Sequence, residues 1–388
     1  MRVLLSCLQD LRPHAIPSYR FWARYFRNGI VEAGHDLVEV PNVDWAEGCT
    51  PLSKSELTAW RDRTWTVTLS WIQRQLECGR PINLFLSYLY PQQVEAAAIQ
   101  QIQEIGIPCV NFFCDNVREF AKVPFEFHSF DLHWVPEYEA IGMYRQAGVR
   151  HCLAPMPVWV PAKWRNLPPS EIDQITFIGS SDELRRPLIC DAIQRGAPIK
   201  VGGAGWIPSA SDHHDNRPKF SRRLSNQFDF IRRSGVSGWA RKIVRKADSR
   251  VLPAPPAENV LPKITNTEYI RLTRESKITL GINRVPTFRR SRRKPLTYSR
   301  LRDLEAPMMG ACYLTEWTAG LEYLYELGEE IETYKTAAEL SEKVRLLTHD
   351  RDRRWQLRKR GQKRALTEHT VGKSLEKIAA AVGISAIQ

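Results

Sequence analysis

Short apolar runs alternate with longer amphipathic segments along the first half of the chain. Each run is continuous, which is typical of a strand buried on both faces of a parallel sheet, whereas the intervening segments repeat apolar residues at helical spacing. Strands separated by helices in this way predict parallel pairing through right-handed crossovers. The predicted strands are Arg2 to Cys7, Asp36 to Val40, Ile82 to Tyr88, Ile107 to Cys114, Leu132 to Val135 and His151 to Ala154, and the predicted helices are Ser18 to Ala33, Ser53 to Glu77, Gln92 to Ile105 and Glu137 to Gln146.

A second series of strands and helices follows a proline-rich interval. Five prolines lie between Pro155 and Glu171, too many for a regular element, so we place a linker at residues 159–170. Residues from about 209 to 262 interrupt the second series and are predicted to form a basic insertion. The predicted strands of the second series begin at Gln174 and then cover Ile199 to Gly202, Ile278 to Ile282 and Ala311 to Thr315. The predicted helices of this series are Pro187 to Arg195, Ala337 to Thr348, Arg351 to Thr367 and Val371 to Ala380.

Two domains account for a chain of 388 residues at a typical domain size. We predict one domain at residues 1–158 and another at residues 171–368. The remaining residues, 369–388, are predicted to form a helix that packs back toward the first domain.

Cysteine usage and hydropathy predict a reduced, cytoplasmic protein. The eight cysteines are scattered, mostly inside apolar runs, and none has a CxxC spacing, so we interpret them as reduced core residues. The first apolar run, Val3 to Leu8, is too short for a signal peptide, and no run is long enough to cross a bilayer. The protein is therefore expected to be soluble or to lie on the cytoplasmic face of a membrane.

The net charge of +13 is concentrated in two segments. Residues 217–250 contain eleven Lys or Arg and two Asp, and residues 284–302 contain eight Lys or Arg and no acid. The rest of the chain is slightly acidic. A local excess of positive charge predicts a local anionic partner.

One glutamate, Glu305, occupies the most informative position of the second series. The segment from Arg300 to Met309 is predicted to be a helix that ends at Gly310, and a buried strand follows at once. In open α/β sheets ligands bind near the strand ends, where a carboxylate is well placed to accept hydrogen bonds from sugar hydroxyls. The alternative is an exposed helical glutamate that pairs with a neighbouring arginine.

Three groups of residues around Glu305 resemble a known enzyme family. The order Leu304-Glu305-Ala306, Gly310-Ala311 and Gly320-Leu321-Glu322 resembles the donor-sugar site of two-domain GT-B glycosyltransferases, and it looks most like the branch named after the spore proteins CgeB and YkvP. The resemblance covers roughly residues 172–378. One position departs from it, because many relatives carry an acidic residue eight positions before the one matched by Glu305, where this chain has Thr297. Further matching motifs are Thr176-Phe177-Ile178-Gly179-Ser180 followed by Arg185-Arg186, Ser276 to Arg284, and Glu368-His369-Thr370.

The resemblance implies an α/β fold of the GT-B type, with two Rossmann-like parallel-sheet domains facing a central cleft. The first domain would bind the acceptor and the second a nucleotide-diphosphate sugar. The implied reaction is a hexosyl transfer of class EC 2.4, to a glycan, a lipid-linked acceptor or another hydroxyl, as in polysaccharide biosynthesis. No cofactor is implied, because the nucleotide sugar is itself a substrate.

The resemblance also implies roles for individual residues of the second domain. Glu305 would hold the ribose, and backbone N–H groups of Gly179 and Ser180 would hold the diphosphate near a helix start. Arg186 and Arg284 would stabilise the leaving group through fixed positive charge. The remaining residues expected at the donor are Arg185, Arg302, Gly320, Leu321 and Glu322.

In the first domain, Asp115 follows a predicted strand and is a candidate general base for the acceptor hydroxyl. An Asx turn that ends the strand is the alternative. We expect no metal site. The Asp350-Arg351-Asp352 sequence is interpreted as a helix cap, and Asp212-His213-His214-Asp215 as a solvated loop.

The partner of the basic segment 217–250 stays open among three candidates. Glycosyltransferases of this shape often act on lipid-linked acceptors, so an anionic membrane surface ranks first, an anionic glycan acceptor second and nucleic acid third. A purely structural alternative is an insertion that covers a sheet. For the whole protein, the alternative to a transferase is a non-catalytic, basic two-domain protein that binds nucleic acid or nucleotide.

Overall fold

The computed structural model describes residues 1–14, 19–206, 252–287, 290–292 and 294–384. The chain forms two compact units. Unit 1 contains Met1–Val117, Lys122–Trp159 and Thr367–Gln388, and unit 2 contains Arg118–Ala121 and Val160–Leu366. Each unit is built around its own parallel sheet.

The sheet of unit 1 contains strands β1 to β6 in the order β2-β1-β3-β4-β5-β6, with every pair parallel. Helix α2 begins with a capping box, in which Ser53 Oγ accepts from the Glu56 N–H and Glu56 accepts from the Ser53 N–H. The strands are β1 (Arg2–Ser6), β2 (Asp36–Val38), β3 (Leu84–Ser87), β4 (Cys109–Phe112), β5 (Leu132–Val135) and β6 (His151–Leu153), and the connecting helices are α1 (Tyr19–Glu32), α2 (Lys54–Glu77), α3 (Ala96–Glu104), α4 (Asn116–Glu119) and α5 (Ile141–Ala147).

The sheet of unit 2 has the order β13-β12-β9-β7-β8, and it is also parallel throughout. A short antiparallel hairpin of β10 and β11 lies outside this sheet. The strands are β7 (Ile172–Ile178), β8 (Ile199–Gly202), β9 (Ser276–Gly281), β10 (Arg284–Val285), β11 (Leu296–Thr297), β12 (Tyr313–Glu316) and β13 (Glu332–Tyr334), and the helices are α6 (Arg185–Gln194), α7 (Asn266–Glu275), α8 (Arg302–Met308), α9 (Ala337–His349) and α10 (Arg351–Glu368).

The last helix, α11 (Val371–Ala381), packs on α1 inside unit 1. The contact is close at Gly29, where a side-chain Cβ atom would come within 2.3 Å of Val371. Ser374 Oγ also donates to the carbonyl of Pro155, at 3.2 Å. A glycine at position 29 is therefore what allows the two helices to approach.

Both sheets share one topology. In each, the first strand pairs with the second on one side and with the third on the other, so the direction of strand addition reverses next to it. In open parallel sheets this reversal creates a crevice at the carboxyl ends of the two central strands, where ligands bind. The crevice in unit 2 therefore lies between the ends of β7 and β9.

The predicted α/β architecture with two parallel sheets is confirmed. Every strand listed in the sequence prediction is present, with ends shifted by a few residues. The prediction missed β13, the hairpin, α4 and α7, because short strands and a four-residue helix carry little periodicity and α7 directly follows the predicted insertion. Most of that insertion, residues 207–251, lies outside the described residues. Within the described ranges, no helix has both the length and the apolarity needed to cross a membrane.

Candidate functional site

A cavity of about 210 Å³ opens in unit 2 where the sheet topology predicts a ligand crevice. Its wall combines the end of β7, the first residue of α6, the segment after β9, the turn before α8, α8 itself, the first residue of β12 and Tyr269 of α7. A small number of polar groups converging on an apolar wall is the usual composition of a ligand site. The lining residues are Phe177, Gly179, Arg185, Tyr269, Ile282, Asn283, Arg300, Leu301, Arg302, Glu305 and Tyr313.

Three guanidinium groups and one carboxylate give the cavity an excess of positive charge. The cationic side chains are those of Arg185, Arg300 and Arg302, and the carboxylate is that of Glu305. Burial lowers the pKa of Arg185, and the two neighbouring arginines lower it further, while Asp182 opposes the shift. The positive charge that lowers the pKa of Arg185 favours an anionic ligand, which would reduce this repulsion.

Two aromatic rings flank the Arg302 guanidinium. Its central carbon lies 5.7 Å from the centroid of the Phe177 ring and 5.7 Å from that of Tyr269. These distances are in the range of cation–π contacts, which hold a guanidinium in place without neutralising it. Arg302 is thus fixed in the wall while its charge stays effective toward the cavity.

Glu305 is oriented by a tyrosine from another helix. The Tyr269 hydroxyl on α7 donates a short hydrogen bond to Glu305 Oε2 on α8. Burial and the neighbouring Glu305 carboxylate raise the pKa of Tyr269, so the phenol stays protonated and acts as the donor. The carboxylate is therefore held at the cavity wall before any ligand arrives.

A second carboxylate, Asp303, lies completely buried behind the wall. Its Oδ1 accepts from the Tyr313 hydroxyl at 2.8 Å and from Thr315 Oγ1 at 2.9 Å. Its Oδ2 accepts from Ser299 Oγ at 3.0 Å and from the Arg300 N–H at 2.8 Å. Burial raises the pKa of Asp303, and these hydrogen bonds oppose the shift.

Arg284, which was expected at the leaving group, is paired with a buried glutamate. The Arg284 guanidinium donates to Glu316 Oε1, with 2.5 Å between Nη2 and Oε1. The backbone N–H of Arg284 donates to Glu316 Oε2 at 3.0 Å. The Asn283 N–H donates to the same Oε2 at 3.1 Å. Burial alone would lower the pKa of Arg284, but the hydrogen bonds to Glu316 raise it overall. Arg284 does not line the cavity, and its ion pair braces the segment that carries Asn283.

The Gly179 N–H, which was expected to hold phosphate, makes a hydrogen bond within the protein. The Gly179 N–H donates to the Gly202 carbonyl at 2.8 Å, and α6 begins only at Arg185. Asp182 caps that helix, because its Oδ1 accepts from the N–H groups of Leu184 and Arg185, each at 2.8 Å. Gly179 does line the cavity, but its N–H and the helix start are already occupied by groups of the protein itself.

Ser180 and Arg186 hold the loops beside the cavity rather than line it. Arg185 Nη1 donates to the Ser180 carbonyl at 2.9 Å, which fixes the loop after β7. Arg186 Nε donates to Ser181 Oγ at 2.5 Å, and its terminal nitrogen donates to the Gly205 carbonyl. The Arg186 side chain therefore bridges the loops that follow β7 and β8.

Gly320, Leu321 and Glu322 lie in a short 3₁₀ helix, Ala319–Tyr323, after β12. The Leu321 side chain is buried, and its N–H donates to the Thr318 carbonyl at 3.1 Å. Glu322 accepts from the Trp317 indole at 3.3 Å. None of the three expected residues lines the cavity.

Asp115 lies in unit 1, whereas every lining residue of the cavity lies in unit 2. It follows β4 in the left-handed region, with φ of 63°. The completely buried Glu137 accepts from the next two N–H groups, of Asn116 at 3.1 Å and Val117 at 3.2 Å. Burial and the nearby Asp115 raise the pKa of Glu137 to about 8. The left-handed turn directs those N–H groups toward the Glu137 carboxylate.

Several other sequence expectations concern metal and anion sites. In the described part of the chain, no three His, Cys, Asp or Glu side chains converge in a group that could hold a metal ion. The cap interpretation of Asp350 is confirmed, because its Oδ1 accepts from the Arg353 N–H at 2.8 Å. The sequence Asp212 to Asp215 and the basic segment 217–250 both lie outside the described residues.

The sequence analysis gave no site role to five polar residues that lie at or behind the cavity wall, which are Tyr269, Asn283, Arg300, Asp303 and Tyr313. The alternation of Tyr313 and Thr315 in an otherwise apolar strand was the available signal, because residues two apart point to the same face and both contact Asp303. Tyr269 gave no signal, since it lies 36 positions from Glu305 in the sequence and on a different helix.

Three solved structures share this fold over nearly the whole chain. A glycosyltransferase from Rickettsia africae ESF-5 has 9% identity and a TM-score of 0.60, covering 100% of this chain and 99% of that one. Sucrose-phosphate synthase from Thermosynechococcus elongatus has 14% identity and a TM-score of 0.52, covering 98% and 96%. HepE from Anabaena, solved in complex with UDP, has 11% identity and a TM-score of 0.52, covering 99% and 100%. The predicted GT-B fold is thereby confirmed.

Sequence comparisons give the family. Curated proteins provide no match. The sequence model of the glycosyl transferase-like family matches residues 185–380, about half of the chain, and this stretch contains every cavity residue except Phe177 and Gly179. The chain therefore belongs to the glycosyl transferase-like family, as the motifs around Glu305 predict, and it is a glycosyltransferase with the GT-B fold.

Proposed function

We propose that the enzyme transfers a hexosyl group from a UDP-activated sugar to a hydroxyl of a glycan or lipid-linked acceptor. The observation that carries this proposal is the cavity between the ends of β7 and β9, where three arginines face a single carboxylate. A nucleoside diphosphate combines an anionic end with a hydroxyl-bearing ribose, so its two ends match these two kinds of group. HepE of Anabaena, solved with UDP-glucose at 12% identity and a TM-score of 0.53, supports the choice of UDP.

In this proposal Glu305 accepts hydrogen bonds from the ribose hydroxyls, and Tyr269 keeps its carboxylate oriented. Arg185, Arg300 and Arg302 bind the diphosphate. The Gly179 N–H already donates to the Gly202 carbonyl, so in this proposal the charge of these arginines takes over the contribution expected from that group. The arginines are preorganised by ring contacts and by the loop after β7, so little reorganisation is needed on binding.

During transfer, the acceptor oxygen forms a bond to the anomeric carbon while the bond from that carbon to the diphosphate oxygen breaks. UDP departs with the bonding electron pair, and the acceptor hydroxyl loses its proton to a general base, for which we propose Asp115. Negative charge grows on the departing diphosphate, so the arginines bind the transition state more strongly than the ground state. This role for guanidinium groups underlies our proposal that transfer needs no metal ion.

A donor screen tests the proposal. The purified protein is incubated with UDP-, GDP-, ADP- and TDP-hexoses, with and without EDTA, and released nucleoside diphosphate is measured. We expect release from a UDP-hexose, slow with water as acceptor and faster with a glycan acceptor, and unchanged by EDTA. Binding of nucleotides without release under any condition would instead favour a non-catalytic nucleotide-binding protein.

The acceptor is proposed to bind unit 1. The basic segment 217–250 carries a local charge of +9, and its affinity for anionic lipid stays a prediction. Cosedimentation with acidic liposomes that is lost at high salt would support a lipid-linked acceptor. Salt-sensitive binding to single-stranded nucleic acid without liposome binding would argue against it.

A further inference from the structure

The completely buried Asp303 carboxylate receives all four of its hydrogen bonds from neutral groups. Three are hydroxyls and one is a backbone N–H. Burying a carboxylate is costly unless its hydrogen-bonding capacity is filled, and here both oxygens receive two donors each. The cost of burial makes a role in simple packing a poor explanation, because an apolar side chain of similar size would fill the same space without it.

The donors to Asp303 are attached to the cavity wall. The Tyr313 hydroxyl and the Arg300 N–H belong to residues that line the cavity. Thr315 Oγ1, which donates to Asp303, also accepts from the side-chain amide of Asn283 at 3.3 Å. Asn283 lines the cavity as well. Asp303 thus joins lining residues from β12, from the turn before α8 and from the segment after β9.

Other contacts also hold these three parts of the wall, because β12 pairs with β9 and Glu316 accepts from the Asn283 N–H. Two of them are irregular backbone, where strand pairing does not dictate side-chain position. A fully satisfied buried polar network selects one arrangement, because any displacement leaves a buried donor or acceptor unpaired. The network is therefore suited to fix the distance between the arginine side and the Tyr313 side of the cavity.

We propose that Asp303 is a positioning residue of the donor site, which holds Tyr313, Arg300 and, through Thr315, Asn283 in the geometry that binds the nucleoside diphosphate. This inference rests on the proposed function of the cavity as a nucleotide-sugar site. Asp303 does not line the cavity itself, so it acts only through these residues.

The substitution Asp303→Asn tests the proposal with almost no change in shape. The Arg300 N–H is a donor that cannot reverse, so the new amide oxygen must take the Oδ2 position. The amide NH₂ then faces the hydroxyls of Tyr313 and Thr315, which must both turn. Both hydroxyls then lose Oδ1 as the acceptor for their own hydrogen atoms, and Thr315 Oγ1, which also accepts from Asn283, must find a new acceptor, so that side of the cavity rearranges. We expect the Kd of UDP to rise at least tenfold.

A matched control separates positioning from stability. The Tyr325 hydroxyl donates to the backbone carbonyl of Asp303 at 2.8 Å, and Tyr325 does not line the cavity. Tyr325→Phe should lower the melting temperature as Asp303→Asn does, but leave the Kd of UDP within twofold of the wild type. Thr315→Val, which keeps the side-chain shape, should weaken UDP binding like Asp303→Asn. It replaces Asp303→Asn as the test of the proposal if that variant does not fold.

Calorimetric titration with UDP and thermal unfolding of the wild type and the three variants decide the matter. The proposal is overturned if folded Asp303→Asn and Thr315→Val bind UDP within twofold of the wild type. It is also overturned if Tyr325→Phe weakens UDP binding as much as they do. A wild type that binds neither UDP, GDP nor ADP would instead refute the proposed function of the cavity.

Discussion

Removing the negative charge of Glu305 is the most direct perturbation of the proposed donor site. In Glu305→Gln the side chain keeps its shape and can still contact Tyr269. In the wild type the hydroxyl of Tyr269 donates to Glu305 Oε2. The hydrogen bonds that a charged carboxylate would make to the ribose hydroxyls are replaced by those of a neutral amide. Hydrogen bonds to charged groups contribute about 1.5–3 kcal/mol. We therefore expect the Kd of UDP to rise roughly 10- to 150-fold.

Comparison of UDP with its 2′-deoxy analogue makes the assay specific for the ribose. If Glu305 binds the ribose hydroxyls, the wild type should prefer UDP, and Glu305→Gln should lose most of that preference. The affinities are measured by calorimetric titration, and circular dichroism checks the fold. Glu342→Gln, an exposed position on α9, is the matched control and should leave both affinities unchanged.

A double-mutant cycle with Tyr269→Phe tests how the carboxylate is oriented. If Tyr269 acts only by holding Glu305, its substitution should weaken UDP binding in the wild type and have little further effect in Glu305→Gln. A folded Glu305→Gln that binds UDP within twofold of the wild type, with an unchanged preference over the deoxy analogue, would remove Glu305 from the ribose site.

Three further predictions address charge, pH and backbone conformation. Arg302→Gln should weaken UDP binding at least tenfold but leave uridine binding unchanged, as measured by titration with each ligand, because only the diphosphate needs the guanidinium charge. Burial raises the pKa of Glu137 to about 8 in the folded state, above the unfolded value, so the folded state favours the proton and the free energy of unfolding should fall as pH rises. Between pH 7 and pH 9 the free energy of unfolding from denaturant titrations should fall by roughly 1 kcal/mol more in the wild type than in Glu137→Gln; equal losses in both proteins would contradict this. Gly310→Ala should destabilise the protein more than Gly196→Ala in denaturant titrations, because both positions have positive φ but only at Gly310 would a Cβ atom meet Gln362, at 2.9 Å.

Local patterns in the sequence were enough to predict most regular elements. The apolar run at β8 and the strand at Leu132 to Val135 match the structure, because a strand buried on both faces leaves a continuous signal in its own residues. Gly310 has φ of 74° and ends α8, since a left-handed residue after a helix strongly favours glycine. Glu305 was found from the same local pattern, because it lies within that helix, five residues before Gly310 and shortly before a buried strand.

Partners of charged residues were not predictable from the same information. Arg284 and Arg186 look like free cations in the sequence, but the fold pairs Arg284 with Glu316 and directs Arg186 to Ser181 and the Gly205 carbonyl. Which acid meets which base depends on strand order, and strand order is a long-range property. The sequence therefore showed the excess of cations and where they lie along the chain, but not which groups they contact in the fold.

The sequence by itself predicted the class of fold, the family and four of the residues that line the cavity, Gly179, Arg185, Arg302 and Glu305. Only the tertiary structure decided that Tyr269 would hold that carboxylate and that Asp303 would join the surrounding wall from behind. The physical reason is that hydrophobic periodicity is written in neighbouring residues, whereas a binding site is assembled from side chains on separate strands and helices. Their distances are set by sheet order and packing, which no local pattern encodes.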